Sequence, residues 1–252
     1  MTSRADRWGV AVLAGVSLAA TIALVVAGPI GQPPGYHSFA DRRAILGIPA
    51  FWNVVSNLAF VLAGGWGLLV LMRRDLPGLL PPLRPAWTCF FAGSVLVGVG
   101  SALYHLSPTD ATLAWDRLPM TVAFTSLLAV VLGEQVDLVV GRSLLPGLLA
   151  VGVASIAVWR LTGDLRLYVL VQYLPILLIA LALLLFRSPF RSSRLFWAGL
   201  LLYGGAKAFE LLDAPLHRAL GAGGGHPFKH VLAAAAIAVL VIALLRRRPA
   251  EA

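Results

Sequence analysis

SALYHLSPTDATLAWDRLPM, residues 101–120, decides how this chain is read. One apolar run ends inside it and another begins, and at the join stand Ser101, His105 and, eleven residues past that histidine, Asp116. A second polar interruption, HPFKH at 226–230, opens the last apolar run and supplies His226 and His230. Three imidazoles, a hydroxyl and a carboxylate are the parts of a zinc hydrolase, provided that the fold brings both stretches to one place.

Almost everything around them is hydrophobic. The 252 residues are 59% hydrophobic and 12% charged, with mean hydropathy +0.87, whereas soluble domains carry about 25% charged residues. This is the composition of an all-α integral membrane protein. Apolar segments recur from residue 8 to residue 245 with no polar stretch long enough to fold alone, so residues 1–252 are read as a single polytopic membrane domain. Most of the arginines behind the net charge of +9 lie in short loops and at the two ends, with Lys207 left inside a span. That is the positive-inside pattern rather than the clustered basic face of a nucleic-acid binder. The expected partners are the bilayer and a membrane lipid, with no nucleic acid and no obligatory protein partner. The lone Cys89, inside an apolar segment, offers no disulfide framework and reads as packing.

A membrane-crossing helix needs about 20 mostly apolar residues. Parsing at charges and prolines gives eight such segments, 8–27, 51–72, 86–105, 117–136, 144–160, 167–186, 194–213 and 227–245. The first follows Arg4 and Arg7 as a signal peptide would, but it is long enough to span, and Gly28-Pro29-Ile30 makes a poor cleavage site. It is read as an extra N-terminal helix ahead of a seven-helix core at about 51–245. With the N-terminus cytoplasmic, the inner side collects twelve arginines: Arg4, Arg7, Arg73, Arg74, Arg84, Arg142, Arg187, Arg191, Arg194 and Arg246 to Arg248. The outer side receives seven cations: Arg42, Arg43, Arg117, Arg160, Arg166, Arg218 and Lys229. The excess favours both termini inside. The third segment then ends outside with Ser101 and His105, the fourth starts outside just after Asp116, and the eighth starts outside with His226 and His230. All five groups share one depth, although none was used to assign the topology.

Polar side chains within a bilayer are expensive and usually face the protein interior. In FWNVVSNLAF, residues 51–60, Asn53, Ser56 and Asn57 fall on one helical face. They either bond neighbouring helices or give polar support to a site. Ser101 and His105, like His226 and His230, are four residues apart and share a face. Pro227 disfavours helical dihedrals at His226 but suits a first helical position, which would make His226 the cap. Three histidine nitrogens on Zn²⁺ leave a fourth position open to water, and the bound water ionises near pH 7. Asp116 then reads as a proton shuttle or as a salt-bridge partner of Arg117. Ser101 reads as an oxyanion donor or as a packing serine. Lys207 and Glu210, three apart, are expected to neutralise each other. His217 reads as an ordinary loop histidine, nothing implicates His37, and Trp8, Trp115 and Trp159 read as interfacial anchors.

At these residues the sequence resembles the alkaline ceramidases, within a broader superfamily of multi-helix membrane hydrolases that includes adiponectin-type receptors. The matching pieces are FWNVVSNLAF at 51–60, GSALYH at 100–105, WDRLPM at 115–120 and GHPFKH at 225–230. They occur in the family's order. The resemblance implies zinc ligands at His105, His226 and His230, assistance from Ser101 and Asp116, and hydrolysis of the ceramide amide to a sphingoid base and a fatty acid. Eukaryotic alkaline ceramidases resemble one another in an acidic, calcium-holding segment that includes a Glu just ahead of Phe-Trp-Asn. This chain has Ala50 there and only Asp41 upstream, so no calcium is expected, and the substrate is expected to be ceramide or a related lipid. A zinc-dependent lipid acyl-ester hydrolase, or a receptor or transporter with a structural zinc, are the alternatives. Arginine far outnumbers lysine and no organelle signal is visible, which suggests a bacterial inner membrane with the site towards the periplasm.

Overall fold

The structure, a computed structural model, describes residues 4–73, 75–188, 190, 194–221 and 223–247. Arg74, Arg191 and Arg248 of the charge count lie outside the described residues. Those described form ten α-helices, with no strand beyond an isolated bridge between Ile45 and Ile48. In chain order they are α1 (Arg4–Val26), α2 (Phe51–Val55), α3 (Leu58–Leu71), α4 (Arg84–Leu106), α5 (Asp110–Gln135), α6 (Leu138–Thr162), α7 (Arg166–Leu185), α8 (Arg194–Leu211), α9 (Asp213–Leu220) and α10 (Gly225–Arg246). Among the described residues seven helices are long and apolar enough to cross a membrane, α1 among them, with α2 and α3 counted as one. The segment expected at 194–213 qualifies only together with α9, from which α8 is bent by 71°. Lys207 and Glu210 dilute the last turns of α8, and the reason for those charges lies in the site.

Where boundaries differ from the hydropathy parse, a cap explains the difference. The fourth span starts at Asp110, because Thr109 and Thr112 form a reciprocal capping box that satisfies the first backbone donors. Asp116 therefore lies within α5 and not ahead of it. The short fifth span extends back to Leu138, capped by Asp137, whose Oδ1 accepts from the backbone N–H of Val139 and Val140. At α10 the cap is Gly224, at φ 92°, and not His226. Asp213 Oδ1 accepts the His226 N–H at 2.9 Å, so that donor is satisfied while His226 stays helical and Pro227 stays in the first turn. The second span breaks between Val55 and Leu58, at Ser56 and Asn57.

Six helical spans form a ring. α10 packs on α8 and α3, α3 on α4, α4 on α5, and α5 on α7, with α6 outside against α5 and α1 outside against α7. The ring closes poorly between α7 and α8, which scarcely touch. Elsewhere the helices meet closely at small residues, as membrane helices do in the absence of a hydrophobic drive between them. Gly100 is the clearest case. A Cβ there would stand 2.0 Å from the Trp115 carbonyl oxygen, so α4 and α5 meet backbone to backbone one residue from Ser101 and Asp116.

Two interior features run against the sequence reading. Trp159 is no interfacial anchor: it is 3% exposed and packs within the bundle, unlike the exposed Trp8 and Trp115. Arg247, assigned to the charged inner tail, is equally buried. Its guanidinium makes a bidentate pair with Glu134 at 2.5 and 2.8 Å, donates to the Gly78 carbonyl, and lies over the rings of Trp87, Phe190 and Phe196. A charge this desolvated persists only when paired and hydrogen-bonded.

Candidate active site

His105 ends α4, while His226 and His230 occupy the first two turns of α10. The three rings are buried, with centroids 4.8 to 5.1 Å apart. One nitrogen from each lies within 4.8 Å of the others, so the three together can hold a metal ion. The Nε2 atoms of His105 and His226 approach to 3.1 Å. Both His105 Nδ1 and His230 Nε2 are buried without a hydrogen-bond partner, an arrangement that is costly for polar atoms unless something else binds there.

Ser56, at the break between α2 and α3, holds the ring of His230. Its single hydroxyl hydrogen goes to the Asn53 carbonyl at 3.3 Å, and its oxygen lies 2.8 Å from His230 Nδ1. With that hydrogen on the Asn53 carbonyl, Nδ1 is the donor and the Nε2 lone pair faces the cluster. Asn57 donates to the Asn53 carbonyl and Asn53 to the Asp41 carbonyl. Of the polar trio, only Ser56 hydrogen-bonds a histidine side chain.

Ser101 is buried on α4, one turn before His105, and its hydroxyl stands beside the Asp116 carboxyl across the close α4–α5 contact. Asp116 is not in ion-pair contact with Arg117. That guanidinium turns the other way, 5.0 Å from the Tyr36 ring centroid, 4.4 Å from Trp159 and 4.7 Å from Tyr168, and donates to Gln32 Oε1 at 2.9 Å.

Ser101, Asp116 and His230 line one end of a cavity of about 640 Å³. Asp116 is half-buried and lines this space. From there the walls become apolar, through Val97 and Phe90 on α4, Ala233 and Leu240 on α10, and Phe196 on α8. Ser101 to Phe90 is eleven residues, so the cavity follows α4 for about 16 Å at 1.5 Å per residue. A family model described as Ceramidase matches residues 47–195. The chain belongs to the ceramidase family. It is accordingly a hydrolase of carbon–nitrogen amide bonds, built on a membrane bundle whose cavity has a polar end and an acyl-like apolar length. A search of curated proteins gave no match. The matched residues include Ser56, Ser101, His105 and Asp116 and stop before α10, so His226 and His230 join the others through the fold and not through the match.

Several contributors came from the loops, where the sequence carries no periodic signal. Phe39, in the first outer loop, packs edge-on against His105 and His226, each at 4.6 Å, and covers the histidines. His37 bonds the Tyr104 hydroxyl at 2.8 Å and Asp110 at 3.2 Å, tying that loop to α4 and α5. Asp213 receives the backbone N–H of both Ala40 and His226. The Gly225 position is so close to the Phe209 carbonyl that a Cβ would lie 2.0 Å from it. Asp41 is buried, and its oxygens are taken by the Arg43 backbone and guanidinium and by the Gly223 N–H. The run of glycines ahead of HPFKH was the one visible hint of this crowding.

Proposed function

We propose that this protein is a membrane-embedded zinc amidohydrolase that cleaves the N-acyl amide of ceramide or a related lipid to a fatty acid and an amine base. The observation that carries the reading is the meeting of three buried histidines with the Ser101–Asp116 pair at the polar end of an acyl-length cavity. The donor set fits zinc. Three neutral imidazoles suit a borderline-soft ion and leave a position open. The 3.1 Å between His105 and His226 nitrogens is near the ~3.3 Å edge of a tetrahedron with bonds of about 2.05 Å. The orphaned lone pair of His230 Nε2 supports the same reading.

A zinc ion held by His105, His226 and His230 supplies a Lewis acid for the carbonyl oxygen and lowers the pKa of water to roughly 7. Asp116 accepts a proton as water adds to the carbonyl carbon, and returns it to the nitrogen as the carbon–nitrogen bond breaks, leaving a carboxylic acid and a free amine. Ser101 turns its one hydroxyl hydrogen to the Asp116 carboxylate at rest and, once Asp116 has taken up the proton, to the oxygen on which negative charge develops. Ser56 fixes the ring of His230. The apolar walls from Val97 to Leu240 hold the acyl chain, and the weak α7–α8 seam, where half-exposed Tyr173 also lines the cavity, offers a sideways route from the bilayer. The excess of basic residues on the inner side, which survives the removal of the buried Arg247, supports termini in the cytoplasm and a site on the opposite side, and the preponderance of arginine over lysine supports a bacterial inner membrane.

Purified protein should contain about one zinc per chain and release fatty acid from an N-acyl lipid. His105→Ala and His230→Ala should lose both properties; full metal content in either variant would falsify the ligand assignment. Acyl esters assayed beside the amides decide the bond, a faster ester reaction overturning the amidohydrolase reading.

A further inference from the structure

The cavity carries charges that amide hydrolysis does not require. Lys207 on α8, Glu210 one turn later and Lys229 on α10 all line it. Glu210 serves both lysines, with Oε2 paired to Lys207 and Oε1 lying 3.1 Å from Lys229. The expected mutual neutralisation of Lys207 and Glu210 is therefore incomplete, because two ammonium groups share one carboxylate. Arg117 adds to the imbalance. It lines the same cavity, is 4% exposed, and among the described residues has no carboxylate within ion-pair distance; its Nε has no hydrogen-bond partner. Three cations against Asp116 and Glu210 face a space walled by apolar helices, where unbalanced charge is expensive and mutual interactions are strong. Lys229 is within electrostatic reach of Asp116 as well as of Glu210, yet the two carboxylates together still leave one cation over.

We propose that the lipid accepted by this cavity bears an oxyanion, carboxylate or phosphate, on the amine side of the scissile amide, received by Lys207 and Lys229. This rests on the amidohydrolase reading for the orientation of the lipid. The acyl chain takes the apolar walls leading away from Ser101 and Asp116, so the amine side faces the remaining polar lining, which is the Lys207–Glu210–Lys229 group. Glu210 holds the two ammonium groups in place and tempers their charge when no lipid is bound. A neutral long-chain base satisfies none of this.

Binding tests the proposal without relying on turnover. Three probe pairs, each differing in charge, are titrated into the purified holoprotein: N-palmitoylglycine against its primary amide, O-phospho-N-palmitoylethanolamine against N-palmitoylethanolamine, and palmitate against palmitamide. The first or second anion should bind at least about tenfold tighter than its neutral partner. That ratio should collapse towards one in Lys207→Gln and Lys229→Gln. In Glu210→Gln, where both lysines lose their competitor, it should rise, an opposite change that a merely structural role does not produce. Which pair responds identifies carboxylate or phosphate. Equal affinities within both pairs, a preference that survives both lysine variants, or a lysine-dependent preference confined to palmitate would each overturn the proposal. Charge-dependent binding without fatty acid release from any amide would instead overturn the hydrolase reading and leave the anion site standing.

Discussion

Ser56 has a single hydroxyl hydrogen, and its use on the Asn53 carbonyl leaves His230 Nδ1 as the donor of the 2.8 Å contact. A hydroxyl at the break of a helix is thereby the orienting partner of a histidine 174 residues away. Loss of such an orienting partner typically weakens metal affinity by about 10–100-fold. Ser56→Ala should show this in competition with a chelator, while Asn57→Ala, whose side chain bonds only the backbone of α2, should keep its metal. Equal affinities in the two variants would separate Ser56 from the site. At the same scale, Asp41 gives the outer loop a defined response to acid. The hydrogen-bonded Arg43 guanidinium holds its carboxyl down at about 2, from an ordinary 3.8, against the opposing effect of burial. A lowered carboxylate stabilises fully above its unfolded value, near pH 4, and that contribution fades as pH falls through about 2. Hydrogen exchange at the Arg43 and Gly223 amides, both bonded to Asp41, should accelerate across this window in the wild type. In Asp41→Asn it should be fast already at neutral pH.

Among the elements, the spans were legible because twenty apolar residues in a row have few alternatives, and the shared depth of the polar groups followed from counting them. Helix ends were less legible, since Thr109, Asp137 and Asp213 act through hydrogen bonds to backbone that hydropathy does not register. Phe39 and His37 were illegible for a related reason: a loop folds back by contacts with helices far along the chain, and its spacing carries no period. Arg247 misled outright. A terminal arginine reads as solvated, and its partner Glu134 lies 113 residues away in the chain. The pair joins the ends of α5 and α10 opposite the histidines, with both side chains 1% exposed. Removing one member of a buried pair costs about 3–5 kcal/mol, because the other charge is left uncompensated. Glu134→Ala should lose about that much in denaturant unfolding in detergent, and Glu134→Ala/Arg247→Leu should recover part of it. A single variant as stable as the wild type would show that the guanidinium reaches water.

At the scale of the whole molecule, the ring of helices does two things at once. Tight contacts, such as Gly100 against Trp115, fix the polar groups at one end, while the loose α7–α8 seam and the apolar walls leave a long space beside them. If that space measures the acyl chain, narrowing its far end should change chain-length preference without touching the chemistry. Gly199 lines the cavity on α8, one turn from Phe196, and its added Cβ would make only ordinary contacts, 3.6 Å from Leu240 and 3.7 Å from the Ala236 carbonyl. The backbone therefore tolerates a side chain, and a leucine there projects into the region that the end of a long chain would occupy. Gly199→Leu should lower kcat/KM for N-acyl lipids of long chain by about tenfold, the cost of roughly 1.4 kcal/mol of lost apolar contact. Short-chain substrates should be processed as before, with the metal content unchanged. A fall that is uniform across chain lengths would mean that the acyl chain lies elsewhere, and that the cavity serves some purpose other than measuring it.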